Sequence, residues 1–287
     1  MMLTQLWIGT RGHMKWVRYP QVDGTTFSQG GFNNVLEYKN GGARVNSSKS
    51  GYRSYQFSWK GTRDEMRFIL DLANGVYDNS DATELIYFVD AQAADKNLLS
   101  AVWASPAVAA ADGLTLFPGQ TPSLVSTPAN ALDYPARSVQ YVTNVASSST
   151  YIPVPPGYTA WVGAHGSATG SAGVLVTQAQ GLTSTTQTKL TLLDVTDTTR
   201  VNASFSSATC DGILISYTNG GANSTDTLTI SGMIVQILPT NSVPDKGGFI
   251  SGQGHSGCQF TAKPSVTPYD FERIGVSAAL AETGAWL

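Results

Sequence analysis

The sequence predicts an all-β protein with one helix, in which a small β-sandwich or barrel domain carries an inserted jelly-roll β-sandwich. Two observations predict this fold class. Glycine accounts for 29 of the 287 residues and aromatic residues for 10%, while only 13% of the residues are charged. Such a mixture of turn formers and aromatics suits pleated sheets. Short segments that alternate between apolar and polar residues also recur between clusters of Gly, Pro and Asn, as is typical of strands.

Charged residues are unevenly distributed along the chain, and their distribution predicts the domain organisation. Residues 106–250 carry only four of the 17 basic and seven of the 20 acidic residues. The stretch that follows is too short to bury a core of its own. We therefore expect a discontinuous first domain, residues 1–105 plus 250–287, and an inserted domain, residues 106–249. Loop-like sequence marks the two edges of the insertion, at Pro106–Ala111 and Pro239–Gly248.

The first domain is predicted to combine short strands with the helix. Strands are expected at Leu3–Ile8, Met14–Tyr19, Asn34–Tyr38, Ala43–Val45, Tyr52–Trp59, Glu84–Val89 and Ile274–Leu280. Thr62 and Glu65 have the spacing of a capping box, in which each side chain bonds the backbone N–H of the other residue. Four apolar residues then follow at helical spacing: Met66, Ile69, Leu70 and Ala73. Asn74-Gly75 is a typical helix end.

The inserted domain reads as eight short strands. They are expected at Ser138–Val142, Tyr151–Val154, Tyr158–Val162, Gly173–Thr177, Leu190–Leu193, Val201–Phe205, Gly212–Tyr217 and Thr227–Leu238. The turns between them are expected at 147–149, 155–157, 163–172, 183–188 and 219–225. Eight strands with Gly-rich turns and no helical period are typical of a jelly roll or a related sandwich.

Charge, hydropathy and cysteine content exclude several classes of function. The net charge of −3 provides no basic excess to neutralise nucleic-acid phosphates. No apolar run reaches the 18 residues of a membrane span, and the first residues lack the apolar core of a signal peptide. Cys210 and Cys258 are expected to be free buried thiols, with a disulfide between them as the alternative.

Recognisable catalytic and metal-binding motifs are absent from the sequence. His13, His165 and His255 do not have the spacing of metal ligands. Residues 254–258 approach the G-x-S-x-G nucleophile motif but end in Cys, and residues 166–171 resemble a phosphate loop without its Lys. The insertion contains no Glu, and its Asp residues fall mostly in turns, which Asp commonly forms. We expect no enzyme activity, no cofactor and no metal.

Aromatic residues of the insertion indicate a surface for carbohydrate. Trp161, Tyr158 and Tyr151 form the candidate glycan platform, with Tyr141 as a further member, because flat aromatic faces can stack on sugar rings. The alternative is core packing, which Trp and Tyr serve equally well. Ala160 and Val162 flank Trp161, so one face of this strand is apolar in either case.

Three stretches of the chain resemble a known family of phage proteins. Residues 84–106, ELIYFVDAQAADKNLLSAVWASP, are similar to the segment that closes the first part of minor tail proteins from long-tailed, non-contractile phages of actinobacteria. Residues 151–177, YIPVPPGYTAWVGAHGSATGSAGVLVT, resemble the start of the inserted sandwich in those proteins, and 274–287, IGVSAALAETGAWL, resembles their ending. The order of the parts is similar as well.

The resemblance implies a virion protein of the distal tail type, assembled in the host cytoplasm. In that family the first domain forms a ring, commonly a homohexamer, which joins the tail tube protein to the hub of the tail tip. The inserted domain is galectin-like or similar to a carbohydrate-binding module and faces outward, where it can contact glycans of the host cell wall. The family is structural, so the resemblance transfers no catalytic residue to this chain.

Candidate ring contacts lie in the charged first domain, because mixed charges suit specific subunit pairing. We expect Arg11, Lys15, Arg18, Arg44 and the loop Gly24–Asn34 to contribute, with an ordinary solvated surface as the alternative for each. A different function remains open from the sequence alone. The chain would then be a carbohydrate-binding module or a glycan-active enzyme centred on residues 106–249.

Overall fold

The computed structural model describes residues 6–17, 26–29, 33–37, 43–47, 53–78, 85–111, 122–127, 132–142, 148–194, 197–219, 226–244, 248–254 and 257–283. Strand is the main secondary structure of these residues, and only one helix among them exceeds six residues. The predicted all-β fold is confirmed.

The structure contains strands β1 to β19 and helices α1 to α4. The first-domain elements before the insertion are β1 Leu6–Thr10, β2 His13–Val17, β3 Thr26–Gln29, β4 Asn33–Glu37, β5 Ala43–Ser47, β6 Arg53–Thr62, α1 Arg63–Ala73 and β7 Tyr87–Val89. Three short helices follow: α2 Ala91–Ala94, α3 Ala101–Ala104 and α4 Pro106–Ala111. The jelly-roll strands are β8 Ser123–Ser126, β9 Arg137–Val142, β10 Ser148–Pro153, β11 Tyr158–Ala168, β12 Ala172–Gln180, β13 Thr183–Lys189, β14 Ala203–Ser206, β15 Gly212–Asn219 and β16 Thr227–Pro239. The chain returns to the first domain with β17 Cys258–Phe260, β18 Ser265–Pro268 and β19 Arg273–Glu282.

The first domain packs two open sheets and α1 around one core. One sheet has the order β17-β19-β6-β3, with β18 also paired to β19, and the other has the order β2-β1-β7. A separate two-stranded sheet pairs β4 with β5 antiparallel, where two strands were predicted. Strand β6 alternates as the sequence indicates, because Tyr55, Phe57 and Trp59 are all buried. The sheets of the described residues do not close into a barrel, so the sandwich is the form observed.

Helix α1 begins and ends where the sequence predicts. The Thr62 hydroxyl accepts a hydrogen bond from the Glu65 N–H at 3.2 Å, and Glu65 Oε2 accepts one from the Thr62 N–H at 3.0 Å. The helix ends at Asn74, and Gly75 has a φ of +70°, which favours glycine. Met66 and Ile69 point into the core together with other apolar residues of the helix. The capping box therefore fixes the start of a helix that the core then holds.

The inserted domain is a jelly roll. Its two sheets have the orders β8-β9-β16-β11-β14 and β10-β15-β12-β13. Along the chain, strands β9 to β12 lie alternately in the five-stranded and the four-stranded sheet. Strands β12 and β13 form a hairpin within the four-stranded sheet. From β13 to β16 the chain again changes sheet at every step. This path is a long hairpin wrapped around a barrel-like sandwich, which defines the jelly roll. Apolar residues of both inner faces form its core, among them Val162, Ile215 and Ile230.

Several predicted boundaries of the insertion are wrong. Residues 183–188, expected as a turn, belong to β13, and β11 continues past Gly163 to Ala168. Strand β13 is exposed on both faces, so its side chains have no reason to alternate and the sequence carries no period of two. Residues 107–111, expected as a loop, lie in α4. The strands β3, β8, β17 and β18 were not predicted, and the predicted strand ends Leu3, Tyr19 and Tyr38 lie outside the described residues.

Two hydrophobic cores mark the two domains. One core holds the inner residues of the jelly roll and also apolar residues between Ala93 and Ala104, and the other holds those of β1, β6, α1 and β19. Trp103 is fully buried in the jelly-roll core, where its ring stacks on Tyr217 at 4.9 Å. The jelly-roll core therefore begins near residue 90 and not at 106. The charge distribution did not predict this start, because Asp95 and Lys96 give residues 90–105 the charge content of the first domain.

Candidate functional site

The expected glycan platform does not assemble, because its members lie on different faces of the jelly roll. Tyr158 and Trp161 are both on β11, but residues three apart on a strand point to opposite sides. Tyr158 packs against the jelly-roll core, and Trp161 lies half-buried on the outer face of the five-stranded sheet. Of the predicted members, Trp161 is the one that offers an aromatic surface on the outside of the sandwich.

Tyr151 and Tyr141 are buried, so their rings cannot stack on a sugar at the surface. Tyr151 is 3% exposed and lies on the outer face of the opposite, four-stranded sheet, where its ring meets that of Tyr87 edge-on at 5.0 Å. Burial raises its pKa. Tyr141 is buried in the core of the jelly roll. The core-packing alternative holds for Tyr141, and a contact between the domains accounts for Tyr151.

The structure places the residues that were predicted as ring contacts in different surroundings. Arg11 turns toward the jelly roll, where its Nη2 donates to Leu182 O at 3.0 Å and to Ser184 Oγ at 3.3 Å. Lys15 is exposed, with its Nζ 5.5 Å from the centre of the Phe68 ring. Arg18 and the side chain of Arg44 lie outside the described residues, as do parts of the loop 24–34. Arg11 is thus a contact between domains of one chain, and Lys15 stays available at the surface.

The two domains meet through the tips of two hairpins. The β1–β2 turn rests on the β12–β13 turn so closely that a Cβ on Gly12 would lie 3.2 Å from the Gly181 Cα. The Arg11 guanidinium stands 5.9 Å from the centre of the Tyr151 ring. Trp7 of β1 and Val89 of β7 pack against the jelly-roll core. The first domain therefore holds the jelly roll along the outer face of its four-stranded sheet.

A single buried asparagine fastens both linkers to the jelly roll. We use the name linkers for residues 95–100 before the jelly-roll strands and 248–254 after them. Asn97 is fully buried, and its Nδ2 donates to Met233 O at 3.0 Å and to Ile250 O at 2.9 Å. Its Oδ1 accepts from Val235 N at 3.0 Å and from Leu99 N at 3.3 Å. Strand β9 pairs with β16 only as far as Ile230. The backbone of β16 beyond Ile230 therefore has no strand on that side, and the side chain of Asn97 bonds it there. All four hydrogen-bonding positions of the amide are filled.

Backbone contacts join the incoming and outgoing linkers directly. Gln253 N donates to Asn97 O at 2.8 Å, and Gly254 N donates to Leu99 O at 3.0 Å. A Cβ on Gly254 would lie 1.7 Å from Leu98 O, so only glycine permits this approach. The two linkers therefore run as a bonded pair, and the jelly roll is attached at both ends to the same point.

An aromatic and polar cluster on the outer face of the five-stranded sheet was not predicted. His165 of β11 is 1% exposed, and its ring stacks on Tyr134 with 4.2 Å between ring centres. Tyr134 also meets Phe249 at 4.8 Å, and both rings lie over Gly232. Arg200 is 3% exposed and donates from Nη1 to Gly248 O at 3.2 Å. These residues are far apart in sequence, so no local pattern could have joined them.

Electrostatics of this cluster follow from its burial. Burial lowers the pKa of His165, against the opposing effects of the Thr199 backbone and of the Asp197 and Asp194 carboxylates. Neither ring nitrogen of His165 has a hydrogen-bond partner of good geometry. Burial likewise raises the pKa of the Tyr134 hydroxyl, and the charge of Arg200 opposes that rise. Burial of the His165 ring therefore disfavours the imidazolium, and the Thr199 backbone and the two carboxylates partly offset that effect.

The described residues hold two cysteine thiols and no cluster of metal ligands. Cys210 and Cys258 are buried thiols that form no disulfide, as predicted. In the ranges that the structure describes, no three His, Cys, Asp or Glu side chains come together as metal ligands, and His255 lies outside those ranges. No helix of the described residues is long and apolar enough to cross a membrane.

No protein-family model matches the chain, and no curated protein matches it either. The functional proposal therefore stands on the architecture, on the domain junction and on the sequence resemblance described above.

Proposed function

We propose that the chain is a structural subunit of a phage tail tip. Its first domain forms a homo-oligomeric ring, taken to be a hexamer, that joins the tail tube protein to the tip hub. Its jelly roll faces outward from that ring. The proposal assigns the protein no enzymatic activity and no cofactor, and places it in the virion after assembly in the host cytoplasm.

The paired linkers are the observation that supports this proposal most. A domain attached by one flexible linker takes many orientations, whereas a domain attached through two linkers that bond each other is held in a single orientation. Asn97 bonds both linkers and β16 at once, and Arg11 adds a contact at the hairpin tips. A subunit that presents an outward domain at a fixed angle from a ring needs an attachment of this kind.

Exposed aromatic side chains of the first domain are the residues that we assign to contacts between subunits. Phe271 is 89% exposed at the turn between β18 and β19, and Tyr269 and Val266 of the same hairpin are exposed as well. The turn is well braced, because Asp270 Oδ1 accepts from Glu272 N at 2.9 Å and from Arg273 N. Aromatic anchors on rigid supports are enriched at protein interfaces.

Mass measurement of the purified chain tests this proposal. We expect an oligomer of about six times the 30.3 kDa chain mass at micromolar concentration. Phe271→Ser should shift the population toward monomer, since interface anchors of this kind contribute about 2 kcal/mol or more. The matched control is Val243→Ser, which changes an exposed apolar residue of the insertion and should leave the oligomer intact. A strictly monomeric chain with no affinity for tube or hub proteins would contradict the proposal.

Trp161 supports glycan binding as a second candidate function, compatible with the first. It is the predicted platform residue that lies half-buried on the outer face of the five-stranded sheet. We expect weak binding to host cell-wall glycans on an array, lost in Trp161→Ala and kept in Tyr158→Phe, because Tyr158 packs inward. Release of reducing sugar from the same glycans would show turnover and would overturn the assignment of a non-catalytic role.

A further inference from the structure

Large apolar side chains are exposed at both ends of helix α1 in the first domain. The β18–β19 turn lies at the start of the helix, where Arg63 N donates to Glu272 O at 3.0 Å and Arg63 Nε donates to Phe271 O at 2.9 Å. Beyond the other end, Val76 is 61% exposed. The 11 residues of α1 separate the two places by about 16 Å along the helix axis. The two surfaces are therefore distinct, and one rigid element carries both.

Cations contact the exposed apolar residues beside the β18–β19 turn. We call these residues the hairpin patch: Val266, Tyr269 and Phe271. Lys60 is exposed, and its Nζ lies 4.2 Å from the centre of the Tyr269 ring. The Arg63 guanidinium reaches the patch through its hydrogen bond to Phe271 O. Both aromatic residues of the patch thus have a positive charge beside them.

Carboxylates of the same region are partly engaged within the chain. Asp270 accepts from Glu272 N and Arg273 N, and it pairs with the Arg273 guanidinium. Glu65 bonds the Thr62 N–H in the helix cap. Asp64 and Glu272 lower the net charge of this end of the domain. Its positive character therefore belongs to the two cations that contact the hairpin patch.

The opposite end of α1 combines an exposed valine with negative charge. We call Asp71, Val76 and Asp78 the helix-end patch. Val76 N donates to Asp71 O at 3.0 Å, and a Cβ on Gly75 would lie 2.7 Å from Asp78 Oδ2, so both acidic residues belong to the turn that presents Val76. The last turn of α1 has no basic residue, and a helix C-terminus is itself the negative end of the helix dipole. Arg67, 3.7 Å from Asp71, is an exposed partner that offsets little of this charge.

Trp16 is a further exposed aromatic residue of the first domain, but it faces the jelly roll. It is the cross-strand neighbour of Trp7, which packs against the jelly-roll core. Cross-strand neighbours lie on the same face of a sheet. The helix-end patch therefore stands apart from the jelly roll and from the hairpin patch, where a neighbouring subunit can reach it.

We infer that the hairpin patch of one copy docks on the helix-end patch of the next copy, head to tail. Phe271 then packs against Val76, and the cations Lys60 and Arg63 face the carboxylates of the next subunit. Hairpin against hairpin would instead bring like charges together, and complementary charges favour the head-to-tail pairing. A contact between two different surfaces of one chain closes into a ring when the rotation between subunits permits it. The inference rests on the proposed ring and names the two surfaces that build it.

Mixing two full-length variants tests the arrangement. Val76→Arg places a cation in the helix-end patch, and Phe271→Ser removes the aromatic anchor of the hairpin patch. Each variant alone should need a protein concentration at least about thirtyfold higher than the wild type to assemble. In an equimolar mixture each chain keeps one intact patch, so we expect a heterodimer of about twice the 30.3 kDa chain mass. The matched control is Val243→Arg, the same change at an exposed valine of the insertion, which should assemble as the wild type does.

The outcomes separate this inference from the proposed ring. Oligomers of wild-type size from Val76→Arg would overturn the inference and leave the ring standing. A mixture without heterodimer, formed from variants that unfold thermally like the wild type, would overturn it as well. A wild-type chain that never assembles would contradict the ring and the inference together.

Cross-linking of the wild-type oligomer gives an independent test that needs no variant. In oligomers of isotope-labelled and unlabelled chains, a carbodiimide joins an amine to a carboxylate that it contacts directly. We expect links between copies from Lys60 to Asp71 or Asp78, which one chain cannot form because these groups lie at opposite ends of α1. Links between copies from Lys60 to Asp270 would show hairpin-to-hairpin contact and would overturn the inference.

Discussion

Asn97 is the residue on which the domain junction depends most directly. Its amide bonds Met233 and Val235 of β16, Ile250 of the outgoing linker and Leu99 of its own linker, all inside the protein. Removing the side chain leaves buried backbone groups without partners, and each such group costs about 1–3 kcal/mol.

Asn97→Ala should therefore lower the free energy of unfolding by about 3 kcal/mol or more, measured by urea denaturation. Gln253→Ala is the matched control, because the Gln253 side chain is exposed and its amide donates to Ser251 of the same segment. We expect the control to change stability by less than about 0.5 kcal/mol. Equal effects of the two substitutions would show that the Asn97 amide does not hold the junction.

Single residues also show where sequence reasoning succeeds and where it stops. The opposite directions of Tyr158 and Trp161 follow from their spacing on one strand, so this part of the platform could have been rejected from sequence. The burial of Tyr151 could not have been predicted from sequence, because it depends on Tyr87 of the other domain. His165 likewise meets Tyr134 and Phe249 only after the jelly roll has formed.

Helix α1 is the element that the sequence specifies most fully. Its start depends on two side chains three residues apart, and its end on Asn74-Gly75, so local chemistry was sufficient to predict both. Strand β13 is the opposite case, since exposed Thr, Ser and Gln side chains on both faces leave no pattern. Pairing with β12 makes it a strand.

The cap of α1 can be tested with two substitutions at one position. Thr62→Ala removes the acceptor for the Glu65 N–H and should lower the free energy of unfolding by about 1 kcal/mol. Thr62→Ser keeps a hydroxyl and should stay within a few tenths of a kcal/mol of the wild type. The comparison is made by thermal unfolding of both variants under the same conditions. A Thr62→Ser variant as unstable as Thr62→Ala would show that the methyl group, and not the hydrogen bond, is responsible.

The described residues form two hydrophobic cores, which the paired linkers and the contact of two hairpin tips join. Charge distribution predicted an insertion, and the jelly-roll class followed from strand spacing and turn residues. The position of the incoming boundary was not predicted, because Asp95 and Lys96 give the segment that contains α2 and α3 the charge content of the first domain. Their place in the jelly-roll core is decided by tertiary packing, as with Trp103 against Tyr217.

The proposed function requires that this two-domain body assemble in a closed ring with the jelly rolls outside. Exposed Phe271 and Tyr269 provide the apolar anchors of the first domain, and the bonded linkers hold each jelly roll at one angle. Negative-stain electron microscopy of the purified full chain tests this most directly. The account predicts closed rings, each with one peripheral lobe per subunit at a constant orientation. Isolated two-lobed particles at every concentration examined would contradict it.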